Sequence, residues 1–318
     1  MTAERRSFKS QTMKTNPLIC DPELGICELP QSSPADSVKI APSGKQLKII
    51  YFTDPICSTC WGIEAQVRKL KLEYGAVFEI QYYMGGLLPD WSYNSGGISK
   101  PSDVAHHWDE VSAHYQMPID GDIWLEDPLH SSYPPSVAFK AAQLQGGDKA
   151  IAFLRRIREM VFLEKKNITK WEHLSAAALQ VGMDADCLKK DLTTKAEQLF
   201  QADLQLAKRY GVRGFPTIFI EDGVNRQEKV YGFKVYSAYE NAIQQMLPDA
   251  QKASYDQSWE ALFSYFQTMT VREFSELSGL TFLESHELLN KLATEGKLSK
   301  FDTKNGALWK RVLAGESF

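Results

Sequence analysis

The sequence is poor in cysteine, and this scarcity limits the roles that its cysteines can have. Five cysteines stand among 318 residues: Cys20, Cys27, Cys57, Cys60 and Cys187. Chains that rely on disulfides to hold their fold carry many more cysteines for their length. We therefore expect these five cysteines to have functional roles more than to stabilise the fold through disulfides.

Excess charge and long apolar runs are also missing. The 36 basic and 40 acidic residues give a formal net charge of -4, which provides no general attraction to nucleic acid or to anionic lipid. No stretch reaches the ~18 consecutive apolar residues that a membrane-spanning helix needs. Residues 1–16 lack the apolar region of a secretory signal. We therefore expect a cytoplasmic protein of about two domains, with neither nucleic acid nor membrane as a partner.

The apolar pattern predicts one α/β sheet that is divided by helices. Residues 47–52 and 78–84 are short apolar runs typical of buried strands, with helical periodicity between them, which is the pattern of a βαβ unit. Between residues 91 and 210 only 3.6-residue repeats occur, so this stretch predicts a helical insertion. The strand pattern then returns at residues 217–220 and 229–233.

A further region follows the sheet and predicts a small winged helix. Three helical stretches precede two strand patterns that meet at Asn305-Gly306, a favoured hairpin turn. The predicted organisation is a flexible polar leader with a cysteine pair (1–46), an α/β domain (47–90 and 211–248), an inserted helical domain (91–210) and a winged-helix-like region (256–318).

The dithiol Cys57-Ser58-Thr59-Cys60 lies where the first strand leads into the first helix. Unpaired N–H groups and the helix dipole favour negative charge at a helix start, so we expect a lowered pKa at Cys57. Cys60, one turn further on, lies on the same helix face and is expected to resolve mixed disulfides. Ser58 and Thr59 leave the reduction potential open between about -120 and about -270 mV.

Zinc binding is the alternative use of a C-x-x-C pair. No second comparable pair completes such a site, because Cys20 and Cys27 are more widely spaced. The strand-turn-helix context favours redox chemistry. We expect no metal, and no cofactor beyond the redox-active disulfide itself.

A proline loop adds to this picture. Gly214-Phe215-Pro216-Thr217 stands at the head of a predicted strand, where the missing N–H of Pro216 falls outside the ladder. Proline there is an ordinary trans residue on base rates, but its combination with the dithiol favours the cis form.

The chain resembles the DsbA and FrnE branch of the thioredoxin superfamily in two motifs, the dithiol turn TDPICSTCWG at residues 53–62 and the loop GFPT at 214–217. The resemblance covers residues 47–248. It implies a thioredoxin fold with an inserted helical domain, a cis Pro216 packed against the dithiol, and a Phe215 backbone that is available to pair with a substrate chain. Trp61 and Thr217 are the further expected substrate-binding residues.

A narrower likeness joins the chain to the YjbH/SpxH group, through AFKAAQLQG at residues 138–146, KKNIT at 165–169 and the tail at 263–310. It implies an adapter that delivers the regulator Spx to the protease ClpXP. The leader departs from that group because it has no histidine-rich stretch.

The remaining candidates have plainer interpretations beside the functional ones. Cys20 and Cys27 are either a redox relay to Cys57 or incidental thiols of the leader. Cys187 is interpreted as a small buried hydrophobe. A group of basic residues within the predicted insertion is interpreted as a solvated helix face; they are Arg155, Arg156, Arg158, Lys165 and Lys166.

Two functions follow from these observations. The first is a protein disulfide oxidoreductase or isomerase that acts through Cys57 on protein or small-thiol disulfides. The second is an adapter that binds a client protein and presents it to ClpXP. The winged region favours protein contact over DNA, because its candidate recognition helix carries Glu284, Glu287 and Glu295 against Lys291. Trp309 and the wing are its expected partner surface.

Overall fold

The computed structural model describes residues 20–21, 26–28, 45–92 and 100–312. Its strands are β1 (Cys20–Asp21), β2 (Ile26–Glu28), β3 (Leu47–Thr53), β4 (Phe78–Met84), β5 (Gly214–Phe215), β6 (Thr217–Glu221), β7 (Gln227–Tyr231), β8 (Thr268–Met269), β9 (Leu298–Thr303) and β10 (Gly306–Arg311). Its helices are α1 (Ser58–Gly62), α2 (Glu64–Tyr74), α3 (Pro101–Tyr115), α4 (Ile123–Glu126), α5 (Tyr133–Gln143), α6 (Gly147–Leu163), α7 (Trp171–Gln180), α8 (Ala185–Leu192), α9 (Ala196–Arg209), α10 (Tyr236–Met246), α11 (Trp259–Tyr265), α12 (Val271–Ser278) and α13 (Phe282–Thr294). Within these ranges, no helix is long and apolar enough to cross a membrane.

The central sheet has the order β4-β3-β6-β7. β3 lies parallel to β4 and antiparallel to β6, and it is buried along nearly its whole length. Its sequence LKIIYFT is almost continuously apolar, as a strand covered on both faces requires. Two stretches of the chain far apart in sequence therefore form one sheet, as the apolar pattern predicts.

Helices α3 to α9 lie between β4 and β5 and form the predicted helical insertion. Their apolar faces join the same buried cluster as the sheet. Two of these helices, α4 and α8, lack a clear 3.6-residue repeat in the sequence. α4 has four residues, which is too short for a helical period to show, and α8 buries only Leu188.

The C-terminal unit, residues 259–311, contains α11, β8, α12, α13, β9 and β10 in that order. Its sheet has the order β8-β10-β9, and it has an apolar cluster of its own. Capping boxes start both α12 and α13, with Thr270 and Glu273 in one and Thr281 and Glu284 in the other. Helices followed by a hairpin are the elements of the predicted winged helix.

This unit is docked on the rest of the chain by contacts that include one with α2 and one at the tip of its hairpin. α12 packs against α2, and Arg68 donates to the Thr268 carbonyl at 2.8 Å. At the tip of the β9–β10 hairpin, Asn305 donates to the Ile119 carbonyl at 2.7 Å. Trp309 is only 1% exposed, so its prediction as partner surface was wrong, because the ring belongs to the unit's core. The tip of the wing rests on the inserted helices, whereas Phe301 on β9 is exposed.

Candidate functional site

The dithiol stands at the start of α1, directly after the turn that follows β3. Cys57 is the N-cap of α1, and its Sγ accepts a hydrogen bond from the Cys60 N–H at 3.1 Å. Both cysteines are in the thiol form, and both are 0% exposed. The site has the position that the sequence predicts, but its sulfurs are closed off from solvent.

Burial controls the acidity of the two thiols. It raises the pKa of Cys57 well above the ordinary value, and the neighbouring Cys60 raises it further. The predicted lowering at Cys57 was therefore wrong, because α1 is only five residues long and its dipole and N–H donor do not offset the loss of water. At Cys60, burial also raises the pKa, but a hydrogen bond from Cys57 and the charge of Arg158 outweigh it and the pKa is lowered.

Asp54 holds the turn between β3 and the dithiol. Its carboxylate accepts hydrogen bonds from the Ile56 N–H at 3.0 Å, the Leu87 N–H at 2.8 Å and the Ser132 hydroxyl at 2.9 Å. Burial raises the pKa of Asp54 to about 6, against the lowering effect of these hydrogen bonds. One buried side chain therefore ties the dithiol turn to the loop after β4 and to the start of α5.

Arg158 was not identified by the sequence analysis as part of the site. It was grouped with a solvated helix face, but it is 0% exposed. Its guanidinium donates to the Thr53 hydroxyl at 2.6 Å and to the Asp54 carbonyl at 3.2 Å, and it forms an ion pair with Glu64. The signal was its helical phase, since Arg158 is four residues after Leu154, on the buried face of α6.

Trp61 was predicted to bind substrate, and the structure places it in the interior instead. Its Nε1 donates to the Pro118 carbonyl at 3.0 Å, and its ring stacks on Phe162 with centroids 5.5 Å apart. The Arg155 guanidinium lies 4.3 Å from the ring centroid. Because the side chain is 0% exposed, its role is to fasten α1 to the inserted helices.

Arg155 also links this site to the C-terminal unit. It forms a bidentate pair with the Glu273 carboxylate, at 2.7 and 3.0 Å, and Arg68 approaches the same carboxylate to 3.3 Å. Glu273 is fully buried. Burial raises its pKa, but the two arginines outweigh that effect and the pKa is lowered. A buried ionic cluster therefore joins α2, α6 and α12 beneath the dithiol helix.

The Phe215–Pro216 peptide bond is cis. Thr217 is paired with Phe52, so the loop lies beside the end of β3, where the dithiol turn begins. The Phe215 ring is buried over Gly85, where an added Cβ would lie 1.7 Å from it. Thr217 is also buried, and its hydroxyl donates to the Gly214 carbonyl at 2.7 Å. The side chains predicted to contact substrate are thus internal, and β5 offers its backbone edge.

That backbone edge is occupied by the chain itself. β2 pairs antiparallel with β5, with Cys27 opposite Phe215 and Glu28 opposite Gly214. β1 pairs in turn with β2, with Cys20 opposite Cys27. The resemblance implied a Phe215 backbone available to a substrate chain, and the leader was predicted to lie outside the fold. Residues 26–28 correct both expectations. Their pairing was not predicted because strands this short carry no periodic signal. The predictions for residues 1–19, 22–25 and 29–44 lie outside the described part of the chain.

Cys187 is exposed, contrary to its interpretation as a buried hydrophobe. Its neighbour Leu188 is the buried residue of α8, and one position along a helix turns a side chain by about 100°. In the described residues, no group of three or more His, Cys, Asp or Glu side chains is arranged to hold a metal ion.

A groove of about 720 Å³ opens where α2, α6 and the C-terminal unit meet. Exposed rings of Tyr265 and Phe301 line it, together with Lys71, Lys300 and Lys310. Its lining thus combines exposed apolar rings with side chains of both charges, the acidic ones being Glu64, Asp148, Glu159 and Glu164.

Comparison with known proteins gives a consistent assignment of the fold. The family model described as Thioredoxin matches residues 51–241. The cytosolic disulfide reductase DsbM from Pseudomonas aeruginosa superposes with a TM-score of 0.51 at 20% identity, covering 63% of this chain and 98% of its own. The likeness to that structure concerns the fold alone.

Curated relatives match more of the chain. The ClpXP adapter protein SpxH of Halalkalibacterium halodurans is 36% identical over 297 residues, which is 92% of this chain and 96% of that protein. The ClpXP adapter protein SpxH of Bacillus subtilis is 32% identical, over 84% of this chain and 90% of its own length. These likenesses therefore extend well beyond the part of the chain that the reductase structure covers.

Proposed function

Because the chain belongs to the SpxH family of thioredoxin-fold proteins, we propose that it is an adapter that binds a client protein and presents it to the protease ClpXP. The observation that carries this proposal is the reach of the likeness, 92% of the chain at 36% identity. The reductase structure covers 63%. An activity that needs the C-terminal unit fits the longer match.

The state of the dithiol supports the same proposal. Cys57 and Cys60 are both 0% exposed, and burial raises the pKa of Cys57. A thiolate is the attacking species in disulfide exchange. A buried, protonated Cys57 is better suited to holding the fold around α1 than to rapid turnover.

The groove beside the C-terminal unit is the proposed client surface. Phe301 is 46% exposed and Tyr265 is 48% exposed, so two aromatic rings stand uncovered beside Lys71 and Lys310. Interfaces are enriched in such aromatic anchors. We expect the client to contribute an acidic segment with apolar side chains.

Degradation of Spx by purified Bacillus subtilis ClpXP, with and without this chain, tests the adapter proposal. The chain should accelerate degradation, and Phe301→Asp should abolish the acceleration. Leu125→Asp is the matched control, since Leu125 is 60% exposed and does not line the groove. Absence of acceleration by the unaltered chain, together with absence of Spx binding in a pull-down, would refute the proposal.

Thiol-disulfide exchange is the second candidate function. It is favoured by the dithiol at the N-cap of α1, with the Cys57 sulfur accepting a hydrogen bond from the Cys60 N–H. Reduction of a fluorogenic disulfide peptide by the chain should be lost in Cys57→Ser. The same variant should keep its effect on Spx degradation if the two functions are separate. Equal peptide reduction by the variant and the unaltered chain would exclude Cys57 as the nucleophile.

A further inference from the structure

The leader brings a second cysteine pair to the edge of the dithiol site. β2 is paired with β5, the strand that immediately precedes Pro216, and Cys27 stands opposite Phe215. Cα atoms of β2 also lie within 8 Å of Cα atoms of α1, the helix that Cys57 caps. The backbone therefore places Cys27 in the strand next to the dithiol helix.

The register also places the two leader cysteines within bridging distance. Cys20 and Cys27 are directly opposite partners in the antiparallel β1–β2 pair. Opposed residues of such a pair have Cα atoms about 4.5 or about 5.5 Å apart, and disulfides span Cα separations of about 4.4–6.8 Å. A Cys20–Cys27 disulfide is thus compatible with the paired backbone.

We propose that the leader is the internal redox partner of the dithiol, and that a Cys20–Cys27 disulfide oxidises Cys57 and Cys60 through a mixed disulfide between Cys27 and Cys57. The strand pairing positions Cys27, and not Cys20, for this exchange, because β2 lies between β1 and β5. The proposal goes beyond the adapter function and does not depend on it, since protease and client take no part.

The exchange balances within the chain. Cys57 loses its proton and attacks the sulfur of Cys27; the Cys20–Cys27 bond breaks, and Cys20 leaves and takes up a proton. Cys60 then loses its proton and attacks the sulfur of Cys57; the Cys27–Cys57 bond breaks, and Cys27 leaves and takes up a proton. Two electrons pass from the dithiol to the leader. A small-molecule disulfide such as oxidised glutathione restores the leader disulfide and is itself reduced to two thiols.

The mixed disulfide can be trapped in the full-length chain. In Cys60→Ser the resolving thiol is missing, so oxidised glutathione should lead to a stable Cys27–Cys57 linkage, seen by peptide mapping without reductant. Mixing unlabelled and ¹⁵N-labelled chains shows whether the link forms within one molecule. Linkage of Cys57 to glutathione alone, to Cys20 as often as to Cys27, or between molecules would overturn the proposal.

A kinetic measurement tests the relay with Cys60 intact, in case the trapping variant does not fold. A tethered partner acts at an effective concentration on the order of 1 mM. A chain whose leader disulfide has already formed should therefore form the Cys57–Cys60 disulfide roughly tenfold faster than Cys27→Ser does at about 0.1 mM oxidised glutathione. Cys187→Ser is the matched control, because Cys187 is exposed on α8 and takes no part. Equal rates in Cys27→Ser and the unaltered chain would refute the relay.

Discussion

Replacing Glu273 with glutamine should weaken the docking of the C-terminal unit on the rest of the chain and so lower the free energy of unfolding. The carboxylate is fully buried and receives Arg155 through two hydrogen bonds and Arg68 at 3.3 Å. Glutamine keeps the shape of the side chain and its place in the capping box of α12, but it removes the charge. Two buried guanidinium groups would then face a neutral amide.

The expected cost can be worked from these contacts. Breaking a buried ion pair costs about 3–5 kcal/mol, because one charge is left buried without its partner. Arg155 keeps a second partner, Glu159, at 2.8 Å, which places the cost near the lower end, at about 3 kcal/mol. At an m-value of about 3 kcal/mol/M in urea, this corresponds to a midpoint shift of roughly 1 M.

The second capping box provides a matched control. Glu284 occupies the same position in α13 as Glu273 does in α12, but it is solvent-exposed and bonds only to Thr281. Urea unfolding followed by tryptophan fluorescence should show the shift in Glu273→Gln and almost none in Glu284→Gln. Equal shifts would refute the reasoning, since the cap alone would then explain the effect.

The stabilisation by the Glu273 carboxylate should decrease at low pH. Because the folded-state pKa of Glu273 is lowered, its stabilisation is complete above the ordinary value of 4.5 and is lost as pH falls below it. The difference between the unaltered chain and Glu273→Gln should therefore shrink below about pH 4.5. A difference that stays constant down to pH 3 would show that the charge of Glu273 is not what the substitution removes.

Three more outcomes follow from the geometry of the site. At pH 7, iodoacetamide should alkylate native Cys57 much more slowly than exposed Cys187, and the Cys57 rate should rise steeply above pH 9, because burial raises the pKa of Cys57 above 9.0. Equal labelling of the two cysteines at pH 7, read by mass spectrometry, would contradict this. The Asp54 carboxyl should titrate near pH 6 by ¹³C NMR. Because its folded-state pKa is raised from 3.8 to about 6, this group alone should reduce the free energy of unfolding as pH rises between these two values. A titration midpoint below 4 would exclude burial as the dominant effect. In urea unfolding, Asn305→Ala should cost about 1–2 kcal/mol, because the Ile119 carbonyl loses its donor. Lys304→Ala should cost less than about 1 kcal/mol, because the ion pairs of Lys304 with Asp109 and Asp122 are partly exposed. A larger cost for Lys304→Ala than for Asn305→Ala would contradict the docking of the wing tip.

Periodic apolar signals predicted most of the fold, and they failed where the signal is short. The β3 strand and the long inserted helices are specified by runs that bury one or both faces. The pairing of residues 26–28 with Gly214–Phe215 was not predictable, because backbone hydrogen bonds of short strands leave no mark on side-chain pattern. Its register is visible only in the folded chain.

The dithiol and the proline loop predicted where the site lies, but the sequence did not predict the charged residues that surround it. Arg158 and Arg155 are charged residues among apolar ones, and composition alone suggests a solvated face. Their partners, Glu64 and Glu273, lie 94 and 118 residues away in sequence. No local pattern indicates such pairing, and none indicates the burial that raises the pKa of Cys57.

The buried cluster around Glu273 also bears on synthesis of the protein. Arg155 leaves the ribosome 118 residues before its partner Glu273, which at roughly 5–20 residues per second is a delay on the order of 10 s. During that interval Arg155 lacks the Glu273 carboxylate and has only Glu159, on its own helix, as an ionic partner. A nascent chain is therefore unable to complete the groove between α2, α6 and the C-terminal unit until translation has passed that unit. Under the proposed function, only finished molecules would engage a client there.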